Sequence, residues 1–300
     1  MPSQILFDDH KFLFLRRITA PLPQDPKILS FINEAPAIVY NISGRKTIII
    51  EGCTYRVKPG ELVLLKPLEA FRIAEDEESI SDYVIIFFNR SFFRPYDPDL
   101  TILRRFDDRM IGENNVVCFD EQQNILFQAC LHHMEKDFSE NESYISFVGM
   151  LMLIVSEINI CPSLKTGIDD PEARTVLLYI NEDLSRDLGT KILAHQFYMS
   201  ESKFCRYFKR ITGMSLKSYV TRKRVLQARI LLNLNVKIED VMAQCGFYNY
   251  TTFYKAHAKY YNYPPSDNYA RGDYDPLFLK GIPPLDVERM HHNFRKKTDI

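Results

Sequence analysis

The residues with the most evident chemistry are the cations between Lys191 and Lys259, where thirteen Lys and Arg accompany only three acids, Glu201, Glu239 and Asp240. This stretch carries +10 in a chain whose net charge is −1, so the remainder carries −11. One basic module on an otherwise acidic protein suits a polyanionic partner; a solvated basic face is the other use of such charge. The six cysteines (Cys53, Cys118, Cys130, Cys161, Cys205, Cys245) are scattered without a CxxC pair, which fits reduced thiols rather than disulfides or a zinc site. Histidines occur as the adjacent pairs His132–His133 and His291–His292, and none lies between His10 and His132. No metal, cofactor or catalytic residue is therefore expected, which counts against a metal-dependent enzyme.

The spacing within the basic stretch is more specific than its charge. Ile192, Leu193 and Ala194 start a short helix, Tyr198-Met199 makes a turn, and Ser200 stands where an N-cap belongs. Phe204 and Phe208, four apart, point inward, while Ser202, Cys205, Arg206 and Lys209 fall on the other side. That is a helix-turn-helix with a polar, basic second helix. The pattern recurs 49 residues later: Ala243 follows Ala194, Phe253 follows Phe204 and Lys255 follows Arg206 at that interval, with Gly246-Phe247 as the turn and Asn249 or Tyr250 opening the next helix. Tyr219 and Tyr269 correspond at an interval of 50. Between the copies, Leu216–Leu232 places Tyr219, Val220, Val225, Ala228 and Leu232 in helical phase and is expected to expose Arg222, Lys223, Arg224 and Arg229.

These elements need a scaffold. The first hundred or so residues read as short strands over 11–16, 37–42, 47–50, 54–57, 61–65, 71–74 and 83–88, punctuated by Ser43-Gly44, Glu51-Gly52 and Pro59-Gly60. Such spacing predicts a small β-barrel or sandwich, and the Pro59-Gly60-Glu61-Leu62 turn resembles that of a cupin-like barrel. Helices follow over 121–138 and 142–160, the second carrying the apolar residues Ile145, Val148, Leu151, Met152, Val155 and Ile158 on or beside one stripe. Cys161–Asp170 reads as a linker, 171–183 as a further helix with Val176, Leu177 and Ile180 inward, and the stretch beyond Gly272 as a loosely ordered tail. There is no run of eighteen apolar residues and no signal-peptide pattern, so a cytoplasmic protein without a membrane span is expected.

Taken together, Ser200-x-x-x-Phe204-x-Arg206-x-Phe208-Lys209, Gly213-x-Ser215-x-x-x-Tyr219, Arg224-x-x-x-Ala228-x-x-Leu231-Leu232, Gly246-Phe247 and Pro265-x-x-x-Tyr269 resemble the DNA-binding domain of the AraC/XylS family of bacterial transcription regulators. The likeness spans about 100 residues, a third of the chain. It implies an α+β multidomain protein: a cupin-like sensing barrel (1–120), a helical dimerisation segment (121–161), a linker (162–170), a double helix-turn-helix domain joined by a linker helix (171–272) and a tail (273–300).

By the same resemblance, Ser202, Cys205 and Arg206 of the first reading helix and Tyr250, Thr251, Thr252 and Lys255 of the second would face DNA bases. Lys203, Lys209, Arg210, Arg222, Lys223 and Arg224 would meet phosphates, which position a protein without specifying sequence. Arg206 has two possible uses: a bidentate guanine contact, contributing roughly 1–3 kcal/mol of discrimination, or an ion pair with Glu201 or a neighbouring carboxylate. Lys255 is open between base and phosphate. Thr251 and Thr252 could turn methyls to thymine or hydroxyls to phosphate. The second copy departs from the family at His257 (for Phe), Ala258 (for a basic residue) and Asn262 (for Gly), so it is expected to pack less firmly and bind more weakly.

For the N-terminal half, the resemblance implies a small-molecule effector and a homodimer. Tyr40, Tyr55, Arg56, Phe71, Arg72 and Tyr83 are the candidates for an effector pocket. Ile145, Val148, Leu151, Met152 and Val155 are candidates for the dimer surface, unless that stripe simply packs on the barrel. The expected partners are thus double-stranded DNA, a second copy, an effector and RNA polymerase. A cupin-type enzyme with an accessory basic domain, or a regulator whose barrel senses a protein, are the alternatives.

Overall fold

The computed structural model describes residues 3–9, 13–20, 30–32, 35–75, 81–140, 144–162, 164–261 and 263–267. Tyr269, Asn262 and the tail expected after Gly272 lie outside them. In chain order the strands are β1 (Ser3–Asp9), β2 (Leu13–Ala20), β3 (Ser30–Ile32), β4 (Ala37–Ser43), β5 (Lys46–Ile50), β6 (Cys53–Val57), β7 (Glu61–Leu65), β8 (Ala70–Glu75) and β9 (Ser81–Phe88). The short helix α1 (Arg104–Asp107), strand β10 (Val116–Cys118) and helices α2 (Glu121–Glu140) and α3 (Tyr144–Ile160) follow. Then come β11 (Leu164–Lys165), β12 (Ile168–Asp169), α4 (Pro171–Glu182), α5 (Thr190–Gln196), α6 (Glu201–Thr212), α7 (Leu216–Asn233), α8 (Ile238–Gln244) and α9 (Tyr250–Tyr261).

The expected closed barrel is instead a pair of facing sheets. One has the order β1-β2-β9-β4-β7-β10-β11 and the other β12-β6-β5-β8-β3, so edge strands remain among the described residues. The central strands are apolar on both faces because both faces are covered. Val39 pairs with Val63 of β7 and Ile85 of β9, and these look toward Ile48, Tyr55 and Ile73 of the second sheet. Ile38, Tyr40, Leu64, Val84 and Ile86 look the other way, onto α2 and α3. This explains the near-continuous apolar runs Ala37–Tyr40 and Val84–Phe88.

Two expectations are corrected here. Most of the proposed dimer stripe is core: Val148, Leu151 and Val155 pack with Phe127, Phe147 and Ile158 against the first sheet, because α3 is apolar around most of its girth and its sheet-facing side is spent on the chain's own interior. Met152 is half-buried, and Ile145, 78% exposed, is the one member standing clear. The linker stretch 162–170 takes short strands on both sheets that its sequence did not signal: β11 pairs with β10, and β12 pairs with β6. Lys165 secures it by donating to the Glu61 carboxylate at 2.6 Å and the Arg56 carbonyl at 2.8 Å.

A pair of charge insertions separates core from surface on α3. Val155→Asp should destabilise the protein by several kcal/mol, since the carboxylate has no buried partner. Ile145→Asp should move the thermal midpoint by little. Equal losses in thermal denaturation would refute this packing.

Candidate nucleic-acid interface

The C-terminal helices are built by local capping and an aromatic seam. The Asp170 carboxylate accepts the Ala173 N–H at 3.0 Å and Pro171 fills the first helical position of α4. Ser200 caps α6 by accepting the Lys203 N–H at 3.3 Å, and Ser215 caps α7 through Ser218 at 3.2 Å. Gly213, at φ 73°, ends α6 in the left-handed conformation that a side chain would strain. Inside, Phe197, Phe204, Phe208 and Tyr219 follow one another with ring centroids 6.2, 5.9 and 5.3 Å apart. Burying Phe204 and Phe208 fully contributes about 2–3 kcal/mol each. Outside, Ser202, Lys203, Cys205, Arg206, Lys209 and Arg210 are all exposed. Arg206 makes no ion pair with Glu201 and has no hydrogen-bond or ion-pair partner among the described residues. Arg210 lies over the Tyr207 ring at 5.2 Å.

The second unit, α8 and α9, repeats the first with one difference in register. Tyr198 (φ 54°) and Gly246 (φ 68°) make the left-handed turn residues, 48 apart. The bonds Met199 N–H to Ala194 and Phe247 N–H to Met242, both 2.8 Å, share that interval. The caps Ser200 and Asn249, the latter accepting the Thr252 N–H at 3.1 Å, are 49 apart. The leading helices α5 and α8 therefore align at 48, and α6 and α9 at 49. This corrects the match of Ala243 with Ala194: Ala243 is exposed, and Met242 takes the inner position. The additional residue is Tyr248, 85% exposed, whose hydroxyl donates to the Ser185 carbonyl at 3.2 Å. Gly246 has no room for a side chain, since a Cβ there would sit 2.7 Å from the Leu184 carbonyl oxygen and 2.8 Å from the Arg224 guanidinium. On α9, Tyr250, Thr251, Thr252 and Lys255 are exposed beside Tyr254.

Helix α7 joins the units, and its cations are not all where the sequence put them. Arg222 is half-buried at the surface. Arg224, expected on phosphate, donates to the carbonyls of Leu184 (2.8 Å) and Arg186 (2.6 Å), holding the α4–α5 connection. Arg229 is buried with its guanidinium 4.5 Å over the Tyr261 ring. Lys223, expected on phosphate as well, is wholly buried. Its ammonium donates to Glu51 at 2.6 Å and also to Asn181. Burial lowers the Lys223 pKa, and the Glu51 charge opposes that shift.

Glu51 is the residue that sequence reasoning missed. It sits in the β5–β6 turn at φ 48°, where a glutamate reads as surface. Its carboxylate accepts from Lys223, from the Ala70 N–H (2.6 Å), from Asn181 Nδ2 (2.9 Å) and from the Tyr219 hydroxyl (3.0 Å). The available signal was on α7: Lys223 falls four residues after Tyr219 and five before Ala228, on the buried stripe.

The effector candidates do not converge. Tyr40 faces α2, its ring 4.4 Å from Phe127 and its hydroxyl accepting from Gln128 at 2.9 Å. Tyr55 and Tyr83 lie in the core between the sheets, Tyr55 donating to the Gly112 carbonyl at 2.8 Å and Tyr83 lying under the Lys46 ammonium. Arg56 is exposed. Only Phe71 and Arg72 share a recess, a shallow cleft between β5, β8, α4 and α6, where Arg72 donates to the Arg210 carbonyl at 3.2 Å. Side-chain alternation separates the rest: Tyr40 and Tyr83 belong to cores on opposite faces of the first sheet, and Arg56 points away from its strand neighbour Tyr55.

His257 is buried among Phe253, Tyr261 and Tyr263. Its Nδ1 donates to the Tyr263 carbonyl at 3.0 Å, and Nε2 has no partner among the described residues. Burial depresses its pKa to about 4.

With this geometry in view, a family model described as a helix-turn-helix domain matches residues 193–271. The C-terminal region is an AraC-type helix-turn-helix domain. An uncharacterized response regulatory protein of Staphylococcus epidermidis and the transcriptional regulatory protein HptR of Staphylococcus aureus are each 29% identical over 106 residues, 35% of this chain. The match spans 42% of the length of those relatives. Among solved structures, the C-terminal domain of the response regulator yesN from Fusobacterium nucleatum aligns at 22% identity over 33% of this chain and 99% of that one, TM-score 0.32. ToxT from Vibrio cholerae O395 aligns at 14% identity over 90% of this chain and 98% of that one, TM-score 0.35.

The helical domain and the sheets share the buried ion pair Glu51–Lys223, and His257 is a separate buried titratable group; each leads to a measurement. Glu51→Gln should cost about 3–5 kcal/mol in chemical denaturation by stranding the Lys223 ammonium. Adding Lys223→Met should restore part of that loss; strict additivity would sink the coupling. For His257, the folded state holds fewer protons than the unfolded state between pH 4 and the ordinary value of 6.5. Its contribution is full above about pH 6.5 and declines as pH falls toward 4, by about 3 kcal/mol in all. His257→Phe should flatten that part of the stability–pH curve, and an unchanged curve would refute the burial assignment.

Proposed function

We propose that the protein is a sequence-specific DNA-binding transcription regulator whose helices α6 and α9 enter successive major grooves. Ser202, Cys205 and Arg206 of α6, and Tyr250, Thr251, Thr252 and Lys255 of α9, face bases, while Lys203, Lys209, Arg210 and Arg222 meet phosphates. The observation that carries this reading is the outer face of α6: polar, basic, exposed, and with Arg206 engaged by no acid among the described residues. The regulatory names of the two staphylococcal relatives support it. The facing sheets form a cupin-like sensing module for a small effector, and regulation proceeds through RNA polymerase. A homodimer forms through what α3 leaves uncovered, Ile145 with half-buried Met152 and exposed Leu153 and Ile160.

Selection of binding sites from a random duplex library with wild type and Arg206→Ala tests the core of this reading. A two-part motif is expected, with elements about 10 base pairs apart and one of them relaxed by the substitution. Lys209→Ala should weaken binding evenly across sequences and reduce the salt slope by about 1. Loss of both proteins' binding with salt, with no motif recovered, would leave a non-specific polyanion surface instead.

A further inference from the structure

The two reading helices are chemically unlike. Residues 190–212 of the first unit hold five basic residues and one acid, whereas residues 238–261 of the second hold two of each. Position by position the cause is plain. At the interval of 48, Lys191 and Ile192 of α5 become Glu239 and Asp240 of α8, both exposed. At the interval of 49, Lys203 and Lys209 of α6 become Thr252 and Ala258 of α9, and Glu201 and Cys205 become Tyr250 and Tyr254. The cations kept on the outer side of α9 are Lys255 and Lys259.

What replaces the charge is a small apolar platform. Tyr250 and Tyr254 are 46% and 41% exposed, with ring centroids 6.3 Å apart. Thr251 and Lys255 extend the same face one residue on, and half-buried Ala258 continues it by one turn. Neither phenol hydroxyl has a hydrogen-bond partner among the described residues. No arginine is present on α9 to fork onto a guanine edge. In the major groove the only apolar group on a base edge is the thymine C5-methyl. Two exposed rings and a threonine methyl, one helical turn apart, are suited to cover such methyls and poorly suited to hold phosphates.

Building on the DNA-binding reading above, we propose that α9 recognises a thymine-rich element through its C5-methyl groups, with Tyr250, Tyr254 and Thr251 as the contacting residues, while the first unit supplies most of the phosphate attraction. The target site is then divided in kind: one element held by charge and read by Arg206, the other read by apolar contact.

Deoxyuridine, which keeps thymine's pairing and removes only the methyl, provides the test. Full-length protein is titrated with the selected duplex carrying deoxyuridine for thymine in one element at a time. Substitution in the α9 element should weaken binding about fourfold for each contacted methyl. Tyr250→Ala/Tyr254→Ala should bind the thymine and deoxyuridine duplexes alike, and Tyr250→Phe/Tyr254→Phe should regain the preference because the rings remain. Both pairs are on the surface, so their thermal midpoints should match wild type and exclude misfolding as the cause. A guanine–cytosine-rich second element, an unchanged affinity on deoxyuridine, or a methyl preference that survives removal of both rings would overturn the proposal. Failure to select any motif would overturn the DNA-binding reading itself, whereas a motif whose second element ignores the methyl overturns only this one.

Discussion

A single buried carboxylate organises the molecule. Glu51 leaves the sheet side at a turn and accepts hydrogen bonds from a lysine, a tyrosine and an asparagine of the helical side, as well as from the Ala70 amide beside it. Removing a charge from water is costly, and geometry of this quality is needed to offset the loss. Such a pair adds little to stability when both members are present, yet it tolerates only one arrangement. It fixes where α7 lies relative to β5 and β6. Because α7 packs on both helix-turn-helix units, it also fixes the frame from which α6 and α9 project.

Around that point the two halves share apolar surface. Ile32, Leu68 and Ala70 from the sheet side pack into the core of the helical side. Arg72 meets the last turn of α6, and Arg174 of α4 reaches back to Glu113 at 2.7 Å. The segment between the halves is itself stitched into both sheets, so the connection transmits position rather than merely joining. The outward faces of α6 and α9 stay open throughout, because these contacts fall on their opposite side, on α4 or on α7.

The sequence made much of this legible where local rules decide. Seven strands, α2, α3 and α4, and both helix-turn-helix units follow from apolar period and turn chemistry, since Ser200, Gly213 and Gly246 are strong local signals. The exposed faces of α6 and α9 were readable for the same reason: helical phase alone sends Phe204, Phe208 and Phe253 inward. What escaped depends on long-range pairing. Strands β1, β3 and β10 to β12 are recognised only by their partners, and two of them are two residues long. Lys223, Arg224 and Arg229 look like a cationic helix face until Glu51, the Leu184 carbonyl and Tyr261 are brought up to them. An apolar stripe such as that on α3 says that something covers it, and nothing in its own residues says whether the cover is the same chain or another.

Tyr248 gives the tandem a consequence of its own. With one more residue in the second turn than in the first, the two units are not related by simple repetition, and no shift along the chain superposes one on the other. The inserted residue shifts α9 from the place that exact repetition of the first unit would give it, and the Tyr248 phenol, tied to the Ser185 carbonyl, holds that shift against the connection between α4 and α5.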